Sequence, residues 1–269
     1  MKRIVVKIGS NVLTRKDGTL DITRMSAITD QVATLTKKGL ELIVVSSGAV
    51  ASGRSEINPG KDLDDVSSRQ LFSAVGQVKL INRYYDLFRC HGLVCGQVLT
   101  TKDSLSRPGQ YENQQHCIEV MLSNGVVPII NENDTISLTE LMFTDNDELS
   151  GTMARMMKAD MLLILSNING LYSGDPTEAG SSLIPLVEVG ESGTDLSECI
   201  SATKSSAGRG GMKTKCGVAL QLASEGIPVV IANGKIENVL LDIIDGKSDV
   251  PCTRFVKKDK DEYGNVAGG

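Results

Sequence analysis

The 269-residue chain contains no tryptophan, and aromatic residues make up only 3% of it. Surfaces that stack nucleobases need aromatic faces, so a single-strand nucleic-acid platform is disfavoured. Basic residues are outnumbered as well. Against 28 Lys and Arg stand 33 Asp and Glu, a net charge of −5, which is not the electrostatic footprint of a nucleic-acid partner. Histidine occurs twice, so a mechanism that depends on an imidazole base has few candidates. Six cysteines fall at 90, 95, 117, 199, 216 and 252 without a CxxC pair or zinc-like spacing to His91 or His116. In a chain this long they read as free thiols. No apolar run approaches a membrane span and no signal-peptide core opens the chain, so a soluble, cytoplasmic protein is expected. No GxGxxG follows the first apolar run and no GxxxxGK[ST] occurs, which disfavours the dinucleotide and P-loop folds.

The remaining 41% hydrophobic content suffices for one large core or two modest ones. Ile4, Val5, Val6 and Ile8 form a β-branched run that reads as a strand buried on both faces. Lys7 interrupts it and Gly9 follows. An unpaired ammonium is costly inside a sheet, so Lys7 is expected at a strand's C-terminal end, where open α/β sheets bind ligands. A helix is predicted from Asp21 to Lys38, with Asp21 as N-cap, then a strand over Glu41–Val45. A second small-residue turn, Ser46-Ser47-Gly48-Ala49, follows that strand. Further helices are predicted at about 67–90, 113–123, 149–158, 212–224 and 237–244. Further strands are predicted at 93–99, 126–131, 161–166, 227–232 and 253–256.

Residues 100–112, broken by Pro108-Gly109, read as a loop, expected to form a lip over the site. Asn133–Phe143 reads as a hairpin arm. Residues 173–211 read as irregular around one short helix. The segment from Lys257 onward reads as a charged tail that frays or ends the fold. Strands alternating with helices predict α/β architecture with a mainly parallel sheet, in a single domain over residues 1–256 followed by the tail 257–269.

Two groups of residues carry chemistry. Lys7 and Lys215, each beside a glycine-containing turn, could neutralise a phosphoryl group from two sides. The second turn is Gly208-Arg209-Gly210-Gly211-Met212-Lys213-Thr214-Lys215, which opens a helix, and helix N-termini favour anions. The other group is rich in carboxylates and amides: Asn131-Glu132-Asn133-Asp134 at a strand end and Asp145-Asn146-Asp147 beyond it. Either cluster alone reads as an Asx turn. Beside the two lysines they offer partners for an ammonium-bearing substrate.

The segments KIGSNVLT, VVSSGAVASG, PIINENDTI, FTDNDELS and GRGGMKTK, in that order, resemble the glutamate 5-kinases of the amino acid kinase superfamily over about residues 3–256. The resemblance implies a three-layer α/β/α sandwich. It implies phosphorylation of the L-glutamate γ-carboxylate by ATP with Mg2+, the first step of proline biosynthesis. It places Lys7, Lys215 and Asp147 in catalysis, with Asp147 orienting the lysines. It assigns Lys7, Gly9, Ser10, Ser166, Asn167, Gly210, Gly211, Met212, Lys213, Thr214 and Lys215 to ATP. Ser47, Gly48, Ala49, Asn131, Asp134 and Asn146 are assigned to the acid, with Asp134 suited to its α-ammonium. No metal-ligating side chain is implied. Proline as feedback inhibitor, a glutamyl-phosphate reductase as partner and a homo-oligomer are expected, and neither nucleic acid nor a membrane is. Asn167 stands where the family usually shows an aspartate, Arg209 and Lys213 make the glycine loop more basic, and no PUA domain is expected within the 269 residues. Kinases of the superfamily for N-acetylglutamate, aspartate or UMP, and a non-catalytic effector-binding protein on this fold, are the alternatives.

Overall fold

The computed structural model describes residues 1–60, 62–137, 145–178, 180–190, 196 and 211–258. Its central strand is β1 (Arg3–Ile8), flanked by β2 (Glu41–Ser46) and β5 (Met161–Ser166), both parallel to it. Outward from β2 come β4 (Val126–Glu132) and the edge strand β3 (Val94–Thr100). Outward from β5 come β7 (Val229–Asn233), β8 (Cys252–Lys257) and the other edge strand, β6 (Leu186–Val189). Among the described residues the sheet thus has eight strands, parallel throughout except where β8 runs antiparallel to β7.

The side-chain period of two splits β1 between two cores. Ile4, Val6 and Ile8 join a cluster with Met25, Ile28 and Val32 of α2 (Ile22–Lys37), Leu80, Tyr84 and Phe88 of α4 (Asp65–Cys90), and Val239 and Leu240 of α9 (Val239–Ile244). Val5 faces the other way, onto Ile118 of α6 (Pro108–Ser123), Leu149 and Met153 of α7 (Asn146–Met156), and Cys216 and Ala219 of α8 (Met212–Ser224). Helices therefore cover both faces, and the expected three-layer α/β/α sandwich is formed. Lys7 shares the face of Val5, so it points toward α7 and α8.

Asp21 caps α2 as expected, accepting from the Arg24 N–H at 3.1 Å. The loop expected at 100–112 is a correction. It holds α5 (Lys102–Ser106) and the first residues of α6. Thr101 caps α5 by accepting from Ser104 N–H at 3.0 Å, and Pro108 occupies the first turn of α6, where its missing N–H costs nothing. The expected irregular stretch 173–211 contains β6, and the short helix expected with it is not found among the described residues of that stretch. Of the expected hairpin arm 133–143, residues 133–137 form a turn and the remainder lies outside the described residues. So does the tail from 259, while Lys257 is the last residue of β8. Two short helices, α1 (Ser10–Leu13) and α3 (Ala49–Arg54), follow β1 and β2 directly.

Candidate active site

Parallel strands bring their C-terminal ends to one edge, and the candidate residues collect there. A cavity of about 1160 Å3 opens across the ends of β1, β2, β4 and β5. Its floor is charged. Lys7 and Lys215 are both buried, at 4% and 7% exposure, and both reach the fully buried Asp147. Lys215 Nζ donates to Asp147 Oδ2 at 2.9 Å, and Lys7 Nζ pairs with Oδ1. Asp147 lies in the first turn of α7, where the helix dipole also favours a negative charge. Burial pushes its carboxyl pKa up, but the two ammoniums outweigh burial and hold it below the usual carboxylate range.

Asp145 caps the same helix, accepting from the N–H groups of Asp147 at 2.7 Å and Glu148 at 3.2 Å. Burial, and then the nearby Asp147 charge, raise its pKa to about 6 against the opposing pull of Lys7 and Lys215.

The second wall is a chain of amides. Asn146 Nδ2 donates to Ser47 Oγ at 2.9 Å, to Asn131 Oδ1 at 2.9 Å and to the Ser46 carbonyl at 3.2 Å. Asn131 Nδ2 in turn donates to Gln77 Oε1 of α4 at 2.9 Å. Gly48 sits at φ 106°, the left-handed region that suits glycine, and serves as N-cap of α3. Ser47, Gly48, Ala49, Asn131, Asp134 and Asn146, expected together, all line the cavity.

Lys7, Gly9, Ser10, Ser166, Asn167, Met212 and Lys215 line it too. The Gly9 N–H is donated to the Leu165 carbonyl at 3.0 Å, because β1 and β5 are still neighbours there. Gly211, Lys213 and Thr214 are not among the lining residues. Gly211 is the N-cap of α8, and the helical repeat turns Lys213, which is exposed, away from the buried side that carries Lys215. Gly210, with Arg209, lies outside the described residues. Residues 100–112 are not among those that line this cavity.

Sequence reasoning missed Arg69. Its Nε donates to Asp134 Oδ1 at 2.7 Å and its Nη2 to Glu132 Oε2 at 3.2 Å. The signal was present: Arg69 lies one helical step before Ser73, on the α4 face that continues through Gly76, Leu80 and Tyr84 into the core. A charged residue in that register calls for a buried counterion.

Residues 2–233 match the family model "Amino acid kinase family". The chain belongs to the amino acid kinase family. It is 62% identical over 254 residues to the glutamate 5-kinase of Bacteroides thetaiotaomicron, covering 94% of this chain and 70% of that one. To the glutamate 5-kinase of Chlorobaculum tepidum it is 44% identical, covering 91% and 67%. To that of Symbiobacterium thermophilum it is 39% identical, covering 91% and 93%. Among solved structures it is similar to a UMP kinase from Ureaplasma parvum, with TM-score 0.63, 16% identity and coverage of 95% and 99%. It is also similar to a T. acidophilum isopentenyl phosphate kinase, with TM-score 0.65, 17% identity and coverage of 96% and 100%. Those two likenesses show the kinase fold alone. Among the described residues no helix of this kinase is long and apolar enough to cross a membrane.

Proposed function

We propose that this kinase transfers the γ-phosphoryl group of ATP to the γ-carboxylate of L-glutamate, giving L-glutamyl 5-phosphate and ADP. The observation that carries the reading is the Lys7–Asp147–Lys215 bridge, set in the same cavity as Ser47, Asn131, Asp134 and Asn146. A side-chain carboxylate is ionised at neutral pH, with a reference pKa of about 4.3, so the nucleophile needs no general base. One of its oxygens forms a bond to the γ-phosphorus as the bond from that phosphorus to the β–γ bridging oxygen breaks. The electron pair leaves with ADP and no proton moves.

Catalysis then reduces to in-line placement and charge neutralisation. Lys7 lies on β1 beside the glycine turns, suited to the transferred phosphoryl group. Lys215, at the start of α8, suits the ADP side. Asp147 keeps the two ammoniums from repelling each other apart before substrate arrives. Asp134 offers a carboxylate to the α-ammonium, and the Ser47–Asn146–Asn131 chain offers donors to the acid. Ser166, Asn167 and Met212 form the wall where the nucleotide would lie. Mg2+ neutralises nucleotide phosphates in this class of chemistry. Such an ion keeps several waters and is carried by phosphate oxygens with at most one or two carboxylates.

The test is ADP release with glutamate, N-acetylglutamate, aspartate and UMP offered in parallel. Glutamate alone should turn over well. Comparable turnover of the acetylated acid, which has no ammonium for Asp134, would sink the assignment. Proline shares the charged amine and α-carboxylate and should compete with glutamate at these anchors. Inhibition that persists at saturating glutamate would place its site elsewhere. The product is a reactive acyl phosphate, which suits direct use by a reductase. A homo-oligomer working in the cytoplasm completes the proposal.

A further inference from the structure

Glu132 and Asp134 lie on the last residue of β4 and just beyond it, and both are buried, at 4% and 8% exposure. Two carboxylates this close and this poorly solvated cannot both stay ionised without a cation. Among the described residues Arg69 supplies one from α4, its Nη2 pairing with both carboxylates and its Nε donating to Asp134. With Arg69 in place the group carries a net charge of about −1, the complement of one ammonium. Without it, the cheapest relief is a proton on one carboxylate, and a protonated carboxyl no longer prefers a cation.

Three further observations point the same way. Arg69 lines the cavity beside Asp134, so the pair borders the space where a ligand would sit. Among the described residues its Nη1 is buried without a hydrogen-bond partner, a cost to stability that calls for an explanation in function. The neighbouring side chains of α4 grip the same turn: Gln70 Nε2 donates to the Thr135 carbonyl at 3.0 Å, and Gln77 Oε1 accepts from Asn131. The other charged groups lining this cavity include Arg54 of α3, Asp65 of α4, Asp145 at the start of α7 and Lys7 of β1. Arg69 is the cation that hydrogen-bonds Asp134.

We infer that Arg69 is a positioning and specificity-determining residue, which holds Asp134 ionised and aimed into the cavity so that the acceptor is selected by its ammonium. The inference rests on the reading that Asp134 takes the α-ammonium of the acid. Burial holds the Asp134 pKa above the ordinary carboxylate value even with Arg69 beside it, and Arg69 opposes that rise, so loss of Arg69 moves the titration further upward.

The experiment compares the full-length wild type with Arg69→Met, which keeps the volume and removes the charge, and Arg69→Lys, which keeps the charge. Each is assayed with glutamate and with glutarate, the same diacid without the amine, between pH 5 and 9. For Arg69→Met, the acid limb of log(kcat/KM) for glutamate should move up by about one pH unit. The preference for glutamate over glutarate should fall about tenfold, the factor that corresponds to one unit, while KM for ATP stays within about twofold. Arg69→Lys should keep the wild-type limb and most of the preference.

A glutamate KM that rises in Arg69→Met with the acid limb and the glutarate ratio unmoved would reduce Arg69 to a structural role and overturn the inference. If Arg69→Met does not fold, a displaced limb or a collapsed ratio in Arg69→Lys overturns it equally, because the charge is then still present. Asp134→Asn separates the two levels. An unchanged glutamate preference in that variant removes the ammonium reading itself, whatever the Arg69 variants do.

Discussion

Asp147 is the carboxylate that both lysines reach, and its replacement separates positioning from bulk charge. Asp147→Asn keeps the size but removes the charge between two buried ammoniums. Preorganised groups of this kind are worth roughly 3–4 kcal/mol in the transition state. A fall in kcat of about a hundredfold or more is expected, with a smaller change in KM for ATP. Lys7→Ala should then cost little extra on that background, since the lysine is already misplaced. Fully additive losses in the double-mutant cycle would show that Asp147 does not act through Lys7. Stability should drop as well, because buried cations lose their counterion, so the assays belong well below the variant's unfolding midpoint. Asp145 makes the opposite kind of prediction. Its folded-state pKa of about 6 exceeds the ordinary 3.8, so the folded state holds that proton more tightly than the unfolded chain. Its contribution to stability therefore grows as pH falls through 6 toward 4 and is lost as pH rises through 6. Asparagine caps a helix equally well and carries no charge. Asp145→Asn should be more stable than wild type by about 1 kcal/mol or more at pH 8, with the gap closing toward pH 4. Denaturant midpoints measured from pH 4 to 8 check this, and a gap that stays constant across that range would refute it.

At the scale of elements, α3 and α4 are pressed together by two glycines. A Cβ on Gly76 would lie 1.8 Å from the Ala49 carbonyl oxygen and 2.4 Å from the Gly53 nitrogen, and one on Gly53 would lie 1.9 Å from the Phe72 carbonyl oxygen. These are backbone atoms and cannot rotate aside, so Gly76→Ala must drive the helices apart. Overpacking of this kind costs about 1–3 kcal/mol, and more where nothing can yield. Because α3 starts immediately after Ser47 and Gly48, KM for glutamate should rise along with the loss of stability. A variant that unfolds earlier yet keeps the wild-type KM would show that the turn is held independently of α4. The same scale shows what the sequence made legible. The strands β1, β2, β4 and β5 were readable because continuous apolar runs report burial on both faces, and α2, α4 and α8 because their apolar residues recur at helical spacing. The helices α5 and α6 were misread around residues 100–112, since a Thr cap and a Pro in a first turn use the same residue types as a loop. The edge strand β6 is four residues long with alternating burial, too short for its period to stand out. Arg69 was overlooked although its register on the inward face of α4 marked it, because nothing along the chain names Glu132 and Asp134 as its partners.

In the whole molecule, the candidate catalytic residues come from separated parts of the chain: Lys7 from its first strand, Asp147 from its middle and Lys215 from beyond it. Their spacing along the chain carries no direct trace of their meeting. What made them legible was their local setting, a lysine at a buried strand's end and an acidic turn opening a helix. The amide chain through Asn131, Asn146 and Ser47 could be expected as a set of lining residues, but its link to Gln77 could not, because that contact depends on how α4 packs over β4. The arrangement of β1 between β2 and β5 has a kinetic consequence. Its two partners are both parallel and reach it only through long crossovers, with Ile4 paired to Leu42 on one side and to Met161 on the other. Non-local pairings of this sort form late, because loop-closure entropy is spent before any contact repays it. The lysine bridge needs β1, α7 and α8 together, so a partly folded chain would have most of its helices and no working site. After dilution from denaturant, far-ultraviolet circular dichroism should recover first and phosphoryl transfer only with the last phase. Enzyme activity is then a clock for the closing of the sheet's centre, and equal rates for the two signals would mean that the centre closes as early as the helices form.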